Sequence, residues 1–472
     1  MITFTRRNDR RSDEPRLWLR PAEPSLRPPA ARGPGASLSR TQELGKQMSE
    51  PAPSFSAEWW EVFLKESRQL SCPVVFKGAL GQARAALFRQ AVLDILATLA
   101  RLRTARYGLR IYAAGRLLDS DEMNRIYDSP PQAGESLECW SGRVFPQTPF
   151  GIILNAGEKF HHGLSCEVAQ MLAPLFERVG LPREGVQFSI FIGDYDKTPL
   201  GIHQDKRGEN VIHLHVGPGA KTMYLWEPEQ YRRLTDEQGI PERDFNALKP
   251  HARTFRFESG DLFFMPEGTF HIGAQSELSI GITVWQYTHT NQMLADNLHA
   301  FLLKQLQAAS DGAIVHDPSP PQDTRALDAI LAQRRLPDEY RGRDYDQLLR
   351  LAYLDWRHCL ASNAGYRNPP FPRDDKASLE ADDQVLMETP YRILTRDTMP
   401  GRMAVYVRGN KLEMNRHSGL IAMLDRLNQN QPCAVAELLE LLDPAWPEKI
   451  GLHLLGELLR WRGIRRLEPP SD

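Results

Sequence analysis

Residues 260–275 read GDLFFMPEGTFHIGAQ, and the spacing of their glycines, proline and histidine decides how the chain folds. Gly260 and Asp261 make a turn, and Leu262, Phe263 and Phe264 continue as a buried strand. Pro266 and Gly268 shape a second, tighter turn, because proline presets its φ and glycine accepts a left-handed backbone. That turn sends the chain back on itself and delivers His271 toward the interior. A buried histidine held by a backbone partner is the bland reading of His271. The matching turn chemistry on either side favours a ligand instead.

The pattern Gly-x5-Pro-x-Gly-x2-His resembles the second motif of the cupin barrels, with Gln275 where that motif usually has Asn. Upstream, residues 201–215 read GIHQDKRGENVIHLH. Positions i and i+2 of a strand share a face, so His203 and Asp205 can reach one ion, and so can His213 and His215. In one reading His203, Asp205 and His271 are the ligands, two imidazoles and one carboxylate on one face of an octahedron. That donor set suits a non-haem Fe(II) oxygenase. In the other, His213, His215 and His271 form a three-histidine cupin site. Ordinary cupins place a Glu soon after the H-x-H pair, but here VGPGAKTMYLW follows, with no acid before Glu227. The order HQD, strand NVIHLHV, turn GPG, Lys221 and strand TMYLW resembles that of the 2-oxoglutarate-dependent branch, a likeness that favours the first reading. His213 and His215 then line the interior.

With these residues the chain resembles the JmjC/cupin-type 2-oxoglutarate-dependent oxygenases, and in layout most resembles the bacterial ribosomal-protein hydroxylases. The aromatic helix SAEWWEVF and the strand CPVVFKGAL that follows it fit that layout. The resemblance implies Fe(II) held by His203, Asp205 and His271, with 2-oxoglutarate and O2 taking the open positions. It implies Lys221 on the far carboxylate of the cosubstrate through a charge-assisted bond. Asn210, Thr222 and Tyr224 are further candidates for the cosubstrate pocket, with Thr283 beside them. The implied reaction hydroxylates a C–H bond of a protein, peptide or amino-acid-like substrate. A homodimer through the helices between about 290 and 375 is implied as well. Two departures stand out: the turn before Lys221 is longer than in the family, and the polar contact expected after the last barrel strand falls near Trp285 or Gln286. A cupin metalloenzyme that does not use 2-oxoglutarate and a non-catalytic binding protein are the competing readings.

Outward from these motifs the expected fold is α+β: a double-stranded β-helix (cupin or jelly-roll) barrel with flanking helices, a helical region, and a winged-helix-like C-terminal domain. SAEWWEVFLKESRQL, ARAALFRQAVLDILATLARL and LSCEVAQMLAPLFERVGL read as helices, the last carrying Pro174. VQFSIFIGD, NVIHLHVG, TMYLWEP, RTFRFESGDLFFMP and LSIGITVWQYT read as closely spaced strands. MLADNLHAFLLKQLQAA, TRALDAILAQRRL and DYDQLLRLAYLDWRHCLA are amphipathic, with a Pro-rich connector HDPSPPQD. YRILTRDTMPGRMAVYVRGNKLEMN reads as a hairpin of two runs, the second interrupted by Arg-Gly-Asn, followed by three helical segments. The expected divisions are 1–53, 54–290, 291–385 and 386–472. Residues 1–53 are rich in Arg, Pro, Ser and Gly without apolar periodicity, a composition that reads as disordered. Asp9, Asp13 and Glu14 oppose a transit peptide, and Met48 reads as the start of translation.

Bulk composition sets the outer bounds. The chain has 472 residues, 41% hydrophobic and 25% charged, with a net charge of −2, the profile of a globular protein. No apolar run reaches the length of a membrane helix. The five cysteines form no C-x-x-C pair, so a reducing cytoplasm is expected. Residues 391–472 hold 12 Lys+Arg against 10 Asp+Glu. That near balance opposes nucleic-acid binding, RWRGIRRL at 460–467 being the one basic cluster there.

Overall fold

The computed structural model describes residues 54–467 apart from 105–107, 199, 289, 306–319, 326–327, 329–336, 374–378 and 445–447. The leader 1–53, the first half of HDPSPPQD and most of TRALDAILAQRRL lie outside the described residues. The fold mixes helices with antiparallel sheets. Its first twelve strands are β1 (Val74–Phe76), β2 (Arg110–Ala113), β3 (Arg116–Leu117), β4 (Phe150–Leu154), β5 (Val186–Asp194), β6 (His203–Gln204), β7 (Glu209–Pro218), β8 (Lys221–Trp226), β9 (Arg253–Phe257), β10 (Leu262–Met265), β11 (Phe270–Ala274) and β12 (Ser279–Tyr287). They form an eight-stranded sheet, β1-β10-β7-β12-β5-β4-β2-β3, and a four-stranded sheet, β6-β11-β8-β9. From β5 to β12 consecutive strands switch sheet at every step except β8 to β9.

The alternation of side chains explains how the two sheets meet. On β7, Ile212, Leu214 and Val216 face one way and join the main core with Ile282 and Val284 of β12. The helices Gly81–Leu102 and His162–Val179 cover that face through Phe88, Val92, Leu96, Val168 and Leu172. The opposite face carries Val211, Phe263 and Met265, which pack against Leu225 and Phe257 of the small sheet. The large sheet is therefore apolar on both faces, and its strands read as near-continuous hydrophobic runs. His213 and His215 lie on this inner face, in register with Thr283 and Gly281 of β12.

A second core begins at Leu379 and is built from Val385, Val405, Leu420, Leu424, Leu438, Leu455 and Ile464, among others. Its strands are β13 (Gln384–Met387), β14 (Leu394–Met399), β15 (Arg402–Val407), β16 (Asn410–Asn415), β17 (Cys433–Ala434) and β18 (Ile464–Arg466). Its helices are Ser418–Asn428, Val435–Glu440 and Glu448–Arg460. The helix Tyr345–Ser362 is tied to this part by ions. Asp355, fully buried, accepts hydrogen bonds from Lys411 Nζ at 2.8 Å, Arg396 Nη2 at 2.6 Å and Tyr340 Oη at 2.7 Å. Each carboxylate oxygen there meets a cation, the condition under which buried charge is tolerated.

Three local expectations change. The expected C-terminal hairpin is a three-stranded sheet, β14-β15-β16. Arg408 and Gly409 both have positive φ between the paired residues Val407 and Asn410, so Arg-Gly is the two-residue turn of a second hairpin rather than an interruption. FGIIL at 150–154 is a fully buried strand, β4, paired to β5. The helix His162–Val179 continues through Pro174.

Candidate metal centre

β6 and β11 are antiparallel neighbours, and His203 stands directly opposite His271 in their register. The Pro266–Gly268 turn makes this possible, with Gly268 at φ +76°. The imidazole centroids lie 4.3 Å apart. Nδ1 of His203 is 2.9 Å from the Gly201 carbonyl, and Nδ1 of His271 is 3.1 Å from the Thr269 carbonyl. A carbonyl only accepts, so each Nδ1 carries the proton and each Nε2 presents a lone pair. This backbone grip on one ring nitrogen is the usual support of a metal-ligating histidine.

Asp205 follows β6 directly. Its Oδ1 lies 3.8 Å from Nε2 of His203, and its Oδ2 lies 3.7 Å from Nε2 of His271. Those distances exceed hydrogen bonds. They suit ligands that each reach about 2.0–2.2 Å to one shared ion. Oδ2 is buried and has no hydrogen-bond partner among the described residues. Burial pushes the Asp205 carboxyl up to about 6, an effect that the neighbouring His203 partly offsets. Burial pushes His271 down to about 3, with His203 and Lys221 adding to the shift. Two aligned lone pairs and an orphaned carboxylate oxygen, all within 4.8 Å of one another, fit a divalent cation.

Lys221 opens β8 on the same inner face as His271, since Leu225 pairs His271 and positions 221, 223 and 225 share a side. It is buried, and Nζ makes no hydrogen bond or ion pair among the described residues. Its ammonium lies 5.7 Å from the Phe191 ring centroid. A Cβ at Gly273 would sit 2.9 Å from Lys221 Cε, so the glycine leaves room for this side chain. An ammonium on this buried lysine with no ion pair among the described residues is a receptor for an anion.

The other expected cosubstrate residues fall elsewhere. Thr222 and Tyr224 lie on the opposite face of β8, because alternation that turns Lys221 inward turns them outward. Tyr224 packs at 5.1 Å, edge to face, on Phe245, with Lys249 over its ring. Asn210 accepts a hydrogen bond from the Glu267 backbone N–H at 2.9 Å. It belongs to a clasp that sequence reading missed. The Glu267 carboxylate accepts from the Gly208 N–H, and Gln204 donates to the Gly268 carbonyl. These bonds tie the segment holding His203 and Asp205 to the turn that delivers His271. Nothing local in the sequence signals them, because each partner belongs to the other motif.

His213 and His215 are engaged at both ring nitrogens. His213 meets Thr283 Oγ1 at 2.9 Å and His215 Nδ1 at 3.4 Å, and His215 Nε2 meets the Gly219 carbonyl at 2.8 Å. Their lone pairs are used within the protein, which removes the three-histidine reading. One further His/Cys/Glu group occurs among the described residues: His162, Cys166 and Glu388. Arg373 lies 3.0 Å from Glu388, and Arg408 lies 3.4 Å from the other nitrogen of His162. Two guanidiniums make that cluster an ion-pair joint, unsuited to a cation. Burial also drives the Cys166 thiol up to about 11.

No known family profile and no curated protein matches the chain. Among solved structures it is similar to YcfD, a ribosomal oxygenase from Escherichia coli, at 17% identity over 87% of this chain and 98% of that one, with a TM-score of 0.46. Structures of YcfD with cobalt and succinic acid (TM-score 0.44) and with cobalt and 2-oxoglutarate (TM-score 0.46) match at 17% identity over the same shares.

Proposed function

We propose that the protein is an Fe(II)- and 2-oxoglutarate-dependent oxygenase that hydroxylates a C–H bond of a protein, peptide or amino-acid-like substrate. The observation that carries this reading is the convergence of His203 Nε2, Asp205 and His271 Nε2, with the unpartnered Lys221 on the same inner face. Iron bound with 2-oxoglutarate and O2 supplies the oxidising chemistry. His203 and His271 offer lone pairs held in place by the Gly201 and Thr269 carbonyls. Asp205 supplies negative charge, and its undonated oxygen is available for ligation. Lys221 receives the far carboxylate of the cosubstrate. The apolar residues Val211, Leu225, Phe257, Phe263 and Met265 between the sheets limit water around that charge pair.

We read the two sheets as the faces of a double-stranded β-helix, and the switching of strands between them from β5 to β12 supports this. Residues 54–290 would form the oxygenase domain and 291–385 a helical region. Residues 386–472 would form a winged-helix-like domain of three short helices with β13, β17 and β18. The helices Asn291–Gln305 and Tyr345–Ser362 pack through Phe301 on Trp356 and leave Leu303, Tyr345 and Leu354 exposed, which supports a homodimer through this region. We also propose a cytoplasmic location, and no disulfide among the described residues opposes it. No described helix is long and apolar enough to cross a membrane.

The test is spectroscopic. Anaerobic protein with Fe(II) and 2-oxoglutarate should show a weak visible charge-transfer band. The band should vanish in His203→Ala and Asp205→Ala and persist in His213→Ala. A band that survives the first two changes would overturn the assignment. Mass analysis of candidate substrates for an addition of about 16 Da would then identify the hydroxylated group.

A further inference from the structure

The H-x-H pair of β7 has no place in the metal centre, yet it is buried on the same inner face. Its hydrogen bonds have a fixed direction. The Gly219 carbonyl can only accept, so Nε2 of His215 carries the proton and Nδ1 is its acceptor. His213 then donates through Nε2, and its own Nδ1 accepts from the Thr283 hydroxyl. The chain therefore runs from Thr283 through His213 and His215 to Gly219. Gly281, beside Thr283 on β12, makes room for it, since a Cβ there would lie 2.0 Å from the His213 ring.

The far end of the chain grips a turn. Gly219 sits between β7 and β8, two residues before Lys221. Its carbonyl is held by His215, and its N–H donates to Leu278 at 2.9 Å. The turn has little slack, because a Cβ at Gly219 would lie 2.7 Å from Glu277 Cβ. Only Gly219 and Ala220 separate β7 from β8, so a buried donor on the Gly219 carbonyl constrains where Lys221 points.

We propose that Thr283, His213 and His215 are positioning residues that fix the Gly217–Ala220 turn so that Lys221 meets the far carboxylate of a bound dicarboxylate. The inference rests on the cosubstrate reading given under Proposed function. The supports are uncharged: burial holds both imidazoles below their usual range, and the Lys221 charge depresses them further. Lys221 is thus the cation that the anion meets on this inner face.

Binding to the full-length Mn(II)-loaded protein, measured by calorimetry, tests this. The probes are 2-oxoglutarate and pyruvate, which shares the keto-acid end but lacks the far carboxylate. Thr283→Val should weaken 2-oxoglutarate about tenfold, the scale of one lost buried hydrogen bond, and Thr283→Ser should restore it. His215→Phe should weaken it at least as much. Pyruvate and Mn(II) affinities should stay within about twofold of the parent in all three. Equal losses for both acids, or a loss of Mn(II) affinity alongside, would mean general fold support and overturn the proposal. If Lys221→Ala leaves 2-oxoglutarate affinity unchanged, the cosubstrate reading itself fails. If Lys221→Ala weakens binding while Thr283→Val does not, the positioning proposal alone fails.

Discussion

His203 and His271 face each other across the β6–β11 pair with their unprotonated Nε2 atoms turned toward Asp205. Neither histidine can be moved independently of the other, because each is fixed by its own strand and by a backbone carbonyl. The three donors converge on one point, and the least satisfied among them is the carboxylate.

Asp205→Ala should abolish metal binding and leave the metal-free protein as stable as the parent or more so. The change deletes a buried oxygen without a partner, which costs about 1–3 kcal/mol. Saturating Mn(II) should raise the melting temperature of the parent but not of the variant. At a hundred times Kd the stabilisation is about 2.7 kcal/mol. Thermal melts with and without metal check this.

Metal affinity should fall at least tenfold per pH unit below about pH 6. Burial raises Asp205 to about 6, so its proton must leave before it can ligate. His271 stays neutral down to about 3 and adds no competition over that range. Titrations of Mn(II) between pH 5 and pH 8, with proton release measured in two buffers, give both numbers.

The metal-free protein should lose stability as pH falls below about 6.5. His213, His215 and His271 have depressed values in the fold, so the unfolded chain binds more protons in that window. Asp205 and Glu158 work the other way, since burial raises the first to about 6 and the second to about 7, and each gains stability for the fold as pH falls through its raised value. The depressed histidines, His162 among them, outweigh these two carboxyls, so urea midpoints should decline from pH 7 to pH 5.

Asn210→Ala should weaken metal binding about three- to tenfold although Asn210 is no ligand. It removes the acceptor of the Glu267 N–H and loosens the clasp between the two ligand-bearing segments. At saturating metal the affinity for 2-oxoglutarate should be unchanged. Calorimetry with metal and cosubstrate added separately distinguishes this from a pocket role.

Lys221→Met and Thr222→Val should behave oppositely. The first replaces the Lys221 ammonium by an apolar chain of similar length and should remove 2-oxoglutarate binding while leaving metal binding intact. The second acts on the outer face of β8 and should leave binding unchanged.

The grouping of His203, Asp205, His271 and Lys221 was legible because each residue is placed by a turn or by strand alternation within its own motif. Thr222 and Tyr224 were misread although the same alternation excludes them once Lys221 points inward. Asn210 was misread for a different reason, since its partner lies in the other motif and only the fold joins them. The H-x-H pair needed Thr283 and Gly219 on either side before its role could be read. FGIIL was missed because a strand buried on both faces has no polar alternation to mark it. The Arg408–Gly409 turn looked like an interruption because positive φ at an arginine is uncommon.

β6 has two residues and forms the edge of the small sheet. The half of the metal centre that holds His203 and Asp205 thus stands on the strand with the least backbone support. Such a short edge has few backbone bonds to hold it. An ion shared with His271 would bind that edge to its neighbour, and loading should be felt as protection of β6 and β11 amides from hydrogen exchange. Metal occupancy and local order would then be one equilibrium, and metal supply would set how long this edge stays closed as well as whether the centre can react.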